Sequence, residues 1–242
     1  MLKMAEKIRN YPLQIYDLAL AEYRQVLEHQ RQLSEKKRQG QIPNTVLIVE
    51  HPSVITLGAR HSANKLLASR SELAEKHIDV VDIRRGGGAT AHNPGQLVFY
   101  PILHLQQLGL SISEYVRELE AIGAELLEQF GVQSQRRTGF PGLWVAKKKI
   151  ASIGVRVSKF VTSHGMAINI QNDLSIFGFI VPCGLDGVKI TSVLKETGRQ
   201  NSMKRVKQNL SKLLIKYFSS EDSVEYENYA QITPVVAQTT AG

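Results

Sequence analysis

The sequence predicts a single α/β domain of the α+β type, with a mixed, largely antiparallel sheet flanked by helices. Three observations carry that prediction. Apolar residues recur at helical spacing in three stretches, residues 11–35, 111–130 and 201–217, that bracket a middle rich in strand-like runs. Between residues 143 and 170 such runs follow one another across short turns, as in hairpins. The 242 residues contain no internal repeat and no linker rich enough to divide them. The expected organisation is one domain over 1–242, with a core from about 45 to 218, an N-terminal helix at 11–35 and a flexible tail from about 220.

In order, Tyr16, Leu20, Tyr23 and Leu27 alternate in steps of four and three, which predicts the first helix. The polar stretch 36–44, with Gly40 and Pro43, predicts a loop. Residues 45–50 form a β-branched strand run that His51-Pro52 breaks, and 54–57 resumes as a short strand ended by Gly58. A loop and short helix fill 64–76. Strands at 78–83 and 97–103 enclose a glycine-rich loop. In the second long helix, Ser113 is a candidate N-cap, Tyr115, Leu119, Ile122, Leu126 and Leu127 form the apolar stripe, and Gly131 is the stop. Residues 143–145 and 149–157 predict a hairpin turning at Lys147-Lys148, and 160–170 a strand beside it. Short helical turns are expected at 173–179 and 191–194, a last helix at 201–217, and fraying at 237–242.

Hydrophobic residues make up 43% of the chain, enough for a real core. No apolar run is long enough to span a bilayer, and residues 1–10 lack the apolar segment of a secretory signal. The one cysteine excludes an internal disulfide framework and a multi-cysteine zinc site, and fits a reducing compartment, the cytoplasm. The net charge of +8 fits an acidic partner. No zinc-finger, RNP or helix-turn-helix pattern accompanies it, so nucleic acid is not the expected partner, and neither is a membrane. HExxH, Walker A and dinucleotide patterns are absent, and no metal or other cofactor is expected.

Chemistry concentrates in two places. The loop Arg84-Arg85-Gly86-Gly87-Gly88-Ala89-Thr90-Ala91-His92-Asn93-Pro94-Gly95-Gln96 allows a ligand to approach the main chain, and it also reads as a plain surface turn. Cys183, between Pro182 and Gly184, is either a small packed hydrophobe or a nucleophile on a tight turn. A thiolate there needs a nearby cation, and Lys149, His92 and His164 are the candidates. By sequence alone, Lys149 does not differ from the hairpin-tip Lys147 and Lys148.

Together these residues resemble the lipoyl(octanoyl) transferases. The resemblance spans about 45–194 and rests on Glu50-His51-Pro52 with Thr56-Leu57-Gly58, Arg85-Gly86-Gly87 with Thr90, His92 and Pro94-Gly95-Gln96, and Gly142-Leu143-Trp144-Val145. It continues through Lys149-Ile150-Ala151-Ser152-Ile153-Gly154, His164-Gly165 with Ala167 and Asn169, and Pro182-Cys183-Gly184. It implies the fold of biotin and lipoate protein ligase catalytic domains. It also implies transfer of octanoyl from octanoyl-acyl carrier protein to a lysine of a lipoyl domain, in 2-oxoacid dehydrogenase subunits and the glycine cleavage H protein, as the first step of endogenous lipoate formation.

The resemblance assigns roles residue by residue. Cys183 would form the acyl thioester and Lys149 would lower its pKa. Arg85, Gly86, Gly87, Gly88, Ala89, Thr90, Ala91 and His92 would bind substrate, together with Ser152, Ile153, Gly154, Gly165, Met166 and Ala167. Asn93 stands where the family usually has Gly, and Ala91 where it usually has an aromatic residue that would shape the pocket wall. The chemistry agrees: a thiolate suits thioester exchange, N–H groups of glycine-rich segments suit its oxyanion, and burial at about 0.8 kcal/mol per methylene suits an eight-carbon chain. Two other readings stand beside it, an ATP-dependent lipoate or biotin ligase of the same fold and a non-catalytic basic binding module.

Overall fold

The computed structural model describes residues 11–184, 187–219 and 224–228, with backbone alone for Cys183 and 224–228. Strands β1 (Leu13–Leu20), β2 (Asn44–Glu50), β6 (Gln96–Ile102), β7 (Gln135–Arg137), β8 (Phe140–Val145), β9 (Lys148–Ser158), β10 (Val161–Asn169), β11 (Lys189–Ile190) and β12 (Val224–Asn228) build the main sheet among the described residues. Its order is β12-β1-β2-β6-β10-β9-β8-β7, with β11 beside β9. The contacts of β12 with β1, β1 with β2 and β11 with β9 are parallel, and the rest are antiparallel. A small sheet of β3 (Val54–Leu57), β4 (Asp79–Asp82) and β5 (Thr90–His92) runs in the order β4-β3-β5.

Helices cover the main sheet on both faces. α3 (Ile112–Gln129) and α5 (Met203–Phe218) pack on one, α1 (Tyr23–Arg38) on the other; α2 (Arg70–Glu75) and α4 (Val193–Thr197) are short. Strand alternation sorts the side chains. Val46, Ile48, Leu97 and Phe99 join Tyr115, Leu119, Leu126, Leu210 and Leu214 in the larger core. Leu47, Val49, Val98 and Tyr100 turn the other way and pack with Val26 of α1. Because both faces are covered, β2 and β6 read as continuous apolar runs rather than alternating ones. The five stripe residues expected on α3 are all fully buried.

The expected helix at 11–35 is corrected: its first part is β1. The helical spacing of Tyr16 and Leu20 was coincidental, since Leu20 is 57% exposed while Leu13 and Ile15, two apart, are fully buried. Pairing with β2 and β12 outweighs local helical pattern there. The same pairing corrects part of the expected tail, because 224–228 is strand β12; residues 237–242 lie outside the described residues. The N-cap of α3 is Ser111, whose Oγ accepts from Glu114 N–H at 3.2 Å while the Glu114 carboxylate accepts from Ser111 N–H at 2.8 Å. No helix among the described residues is long and apolar enough to cross a membrane.

Candidate active site

The glycine loop is not a free turn. Its residues Thr90–His92 form β5, antiparallel to β3, where the sequence pattern predicts loop. Arg85 is buried, and its Nη2 donates to the Thr56 carbonyl at 3.0 Å and to Thr56 Oγ1 at 2.8 Å. Gly86 N–H donates to Val155 O at 3.0 Å, which binds the loop to β9. Arg85 then lies over Gly154, where a Cβ would come 2.7 Å from Arg85 Cδ. The expected oxyanion donors are narrowed by this packing. Gly86 and Ala89 N–H are taken by Val155 O and Ala63 O, whereas those of Gly87 and Gly88 have no acceptor among the described residues.

A cavity lies between the loop, β9 and β10, with about 440 Å³ of empty space counted out to the open solvent at its mouth. The three segments expected to bind substrate meet on it. Arg85, Gly87, Thr90 and His92 line it from the loop, Ser152, Ile153 and Gly154 from β9, and Gly165, Met166 and Ala167 from β10. Four expected residues do not line it. Gly86 is bound to β9, Gly88 sits against Ala63, and Ala89 and Ala91 turn into the core of the small sheet with Ile55 and Leu73. Ala91 is therefore not part of the cavity wall. Tyr23, Val98 and Tyr100 complete the lining and were missed; each is one apolar position among many in sequence, with no signal of its own. His164, a candidate cation in the sequence, lines it too.

Two of the three candidate cations are neutral. Burial drives His92 down to about 3, helped by His51 and Arg85, and drives His164 to about 3, helped by Arg85, Arg156 and Arg31. Burial also lowers His51 to about 4. The rings of His51 and His92 are held by hydrogen bonds. His51 Nδ1 lies 2.7 Å from Ala21 O, so it carries the proton, and Nε2 accepts from Tyr100 O–H at 2.8 Å. His92 Nδ1 donates to Gln96 Oε1 at 2.7 Å, because Gln96 Nε2 is already donating to Ala91 O and Asn169 Oδ1.

Lys149 is now distinct from its neighbours. Lys147 is exposed and Lys148 pairs with Glu196, whereas Lys149 is 3% exposed. Its Nζ donates to Pro141 O at 3.0 Å and lies 5.2 Å from the Trp144 ring centre. The network from His92 reaches the same residue: Asn169 Nδ2 donates to Thr191 O at 2.9 Å, and Thr191 N–H donates to Lys149 O at 3.0 Å. The Cys183 backbone lies in a short 3-10 turn, Pro182–Gly184; its side chain is outside the described residues. Gly184, at φ +70°, and Gly88 both press on Ala63, where Cβ atoms would come to 2.6 and 2.5 Å from the Ala63 Cβ. One alanine thus spaces the cysteine turn from the glycine loop.

The lipoyl protein ligase A/B catalytic domain model matches residues 22–215. The chain belongs to that family. Among the family's proteins similar to it are octanoyltransferases of Desulfovibrio desulfuricans, 40% identical over 75% of this chain and 76% of that protein, and of Roseiflexus sp., 41% identical over 88% and 90%. Solved structures agree on the fold. A lipoate-protein ligase A bound with ATP superposes with a TM-score of 0.66 at 12% identity, covering 92% of this chain and 89% of that one. A bipartite lipoate protein ligase from Thermoplasma acidophilum also reaches 0.66, at 13% identity, covering 93% and 88%. At such identity the family likeness in structure speaks for the fold alone.

Proposed function

We propose that this chain moves an octanoyl group from octanoyl-acyl carrier protein to the lysine of a lipoyl domain through a thioester on Cys183. Its place beside octanoyltransferases at about 40% identity makes it an octanoyltransferase; the thioester route and the roles of individual residues are our reading. The observation that supports it best is the meeting of the glycine loop, β9 and β10 on one cavity, with buried Lys149 at the β9 end.

The Cys183 thiolate attacks the carbonyl carbon of the carrier thioester. The C–S bond to the carrier breaks, and the carrier thiolate leaves and takes up a proton. The neutral ε-amine of the lipoyl-domain lysine then attacks the enzyme thioester, losing a proton as the amide forms and the Cys183 thiolate departs. The ammonium of Lys149 stabilises that thiolate in both halves. Arg85, Gly87, Thr90, His92, Ser152, Ile153, Gly154, Gly165, Met166 and Ala167 surround the acyl chain. The +8 charge steers acidic carriers and lipoyl domains of 2-oxoacid dehydrogenases and the glycine cleavage H protein toward the site. A thiol that must stay reduced fits the cytoplasm.

Incubation with octanoyl-carrier protein, without ATP, should add one octanoyl mass to the protein and none to Cys183→Ala. An unmodified mass with acylated carrier present, and ATP-dependent attachment of free octanoate instead, would turn the assignment to a ligase.

A further inference from the structure

Resting on that acyl-transfer reading, we propose that His164 is the residue that closes the acyl slot and limits the length of chain it accepts. Two cavities meet at His164. The slot just described is one; the other is a cleft of about 840 Å³ between α1 and the β9–β10 hairpin. Among the described residues, His164 is the one that lines both. Its side chain is therefore a partition between them.

The ladder between β9 and β10 sets the distances. Ala167 pairs with Ser152, Met166 with Ile153, Gly165 with Gly154 and His164 with Val155. Lys149 lies before Ser152 on β9, so a chain bound to a thioester at that end runs past Ser152 and Gly154 and reaches His164 last. Three strand residues from Ser152 to Val155 span about 10 Å. An extended octanoyl chain, with C–C bonds of about 1.5 Å, is roughly 9 Å long. Eight carbons fill that path and two more would meet the imidazole.

The partition is held in place. His164 has φ +57°, a conformation that a residue with a Cβ rarely takes. Its N–H donates to Gln30 Oε1 of α1 at 2.8 Å, and its ring lies edge-on to Tyr100 at 6.5 Å. The cleft behind it is the more polar of the two. Gln30 Nε2, Ser34 Oγ and His164 Nδ1 are buried there without a hydrogen-bond partner, and Arg84 and Arg156 border it without an ion-pair partner among the described residues. Slot and cleft thus differ in chemistry as well as in position, and His164 marks the change.

The test is the binding of free hexanoate, octanoate, decanoate and dodecanoate, read by calorimetry, to the wild type, His164→Gly and His164→Asn. Glycine accepts φ +57° and removes the ring; asparagine also tolerates that backbone and keeps part of the bulk. Wild-type affinity should rise about fourfold per methylene up to octanoate and then stop rising. In His164→Gly the rise should continue, increasing the decanoate-to-octanoate affinity ratio about tenfold over wild type, with His164→Asn between. A wild-type series still rising through dodecanoate, or a folded His164→Gly or His164→Asn with the wild-type break, would overturn the assignment. If the acyl-enzyme forms and the break does not move, the partition alone is wrong. If neither adduct nor acid binding is seen, the acyl slot falls with it.

Discussion

Arg85 lies directly across Gly154, its Cδ 2.7 Å from where a Cβ would stand. This packing joins the glycine loop to the strand that carries Lys149, and it fixes a guanidinium that donates to Thr56 and to Gly86 O. Neither residue does this alone. The arginine needs an open surface to cross, and the strand supplies one only where it lacks a side chain.

Gly154→Ala should therefore displace Arg85 rather than simply add a methyl group. The expected cost is about 1–3 kcal/mol of stability, the range for overpacking a fitted site. Acyl-enzyme formation should slow at least tenfold, since the cavity wall moves with the arginine. Thermal unfolding and the time course of octanoyl mass gain measure the two effects. A variant of normal stability and rate would mean that the loop yields freely to the methyl group.

Lys149→Met should shift the pH dependence of acylation. Under the proposed roles, loss of the Lys149 ammonium raises the Cys183 thiol pKa, so the limb on which the rate rises with pH moves upward, by roughly one unit or more. Lys147→Ala, at an exposed position, should leave the profile in place. Equal shifts from both would place the effect in general surface charge.

The α3 stripe was legible because one-sided burial writes a 3.6 period, and strands such as β2 and β6 because burial on both faces leaves a continuous apolar run bounded by turn signals. The first strand was not, because Tyr16, Leu20, Tyr23 and Leu27 also satisfy a helical period and the partners that decide the matter, β2 and β12, are distant in sequence. The segments that line the cavity were legible as motifs, but their facing was not. Ala89 and Ala91 lie in the motif and point into the small core, while Tyr23, Val98 and Tyr100 lie outside it and line the cavity. Likewise the charge state of His92 and His164 depends on burial that only the fold creates.

Lys207 of α5 is buried between two carboxylates, Asp17 at 3.0 Å and Glu50 at 3.2 Å. The other Glu50 oxygen accepts from Gly95 N–H at 2.9 Å, so the bridge also secures the Pro94-Gly95 turn that ends the glycine loop. Lys207→Met leaves two half-buried carboxylates facing each other and should destabilise by about 2–4 kcal/mol, somewhat less than for a fully buried pair. Glu50→Gln in the same chain should return part of that loss. Urea unfolding of the wild type, single and double variants checks it; additive losses would show that the three groups act independently.

Acid should destabilise the protein before its carboxylates titrate. His51, His92 and His164 have folded-state pKa values of about 4, 3 and 3, all below the unfolded value near 6.5. Between those values the unfolded chain binds more protons than the folded one, so stability rises with pH across this window and is lost as pH falls through it. The contribution is fully present above about pH 6.5. At pH 5 each buried histidine should remove up to about 2 kcal/mol, less where neighbouring histidines share the effect. Urea unfolding at steps from pH 8 to 5 should give a plateau above neutrality and a steep fall below pH 6. A flat profile down to pH 5 would mean that these imidazoles accept protons in the folded state, and that the Tyr23–His51–His92 cluster opens to water there.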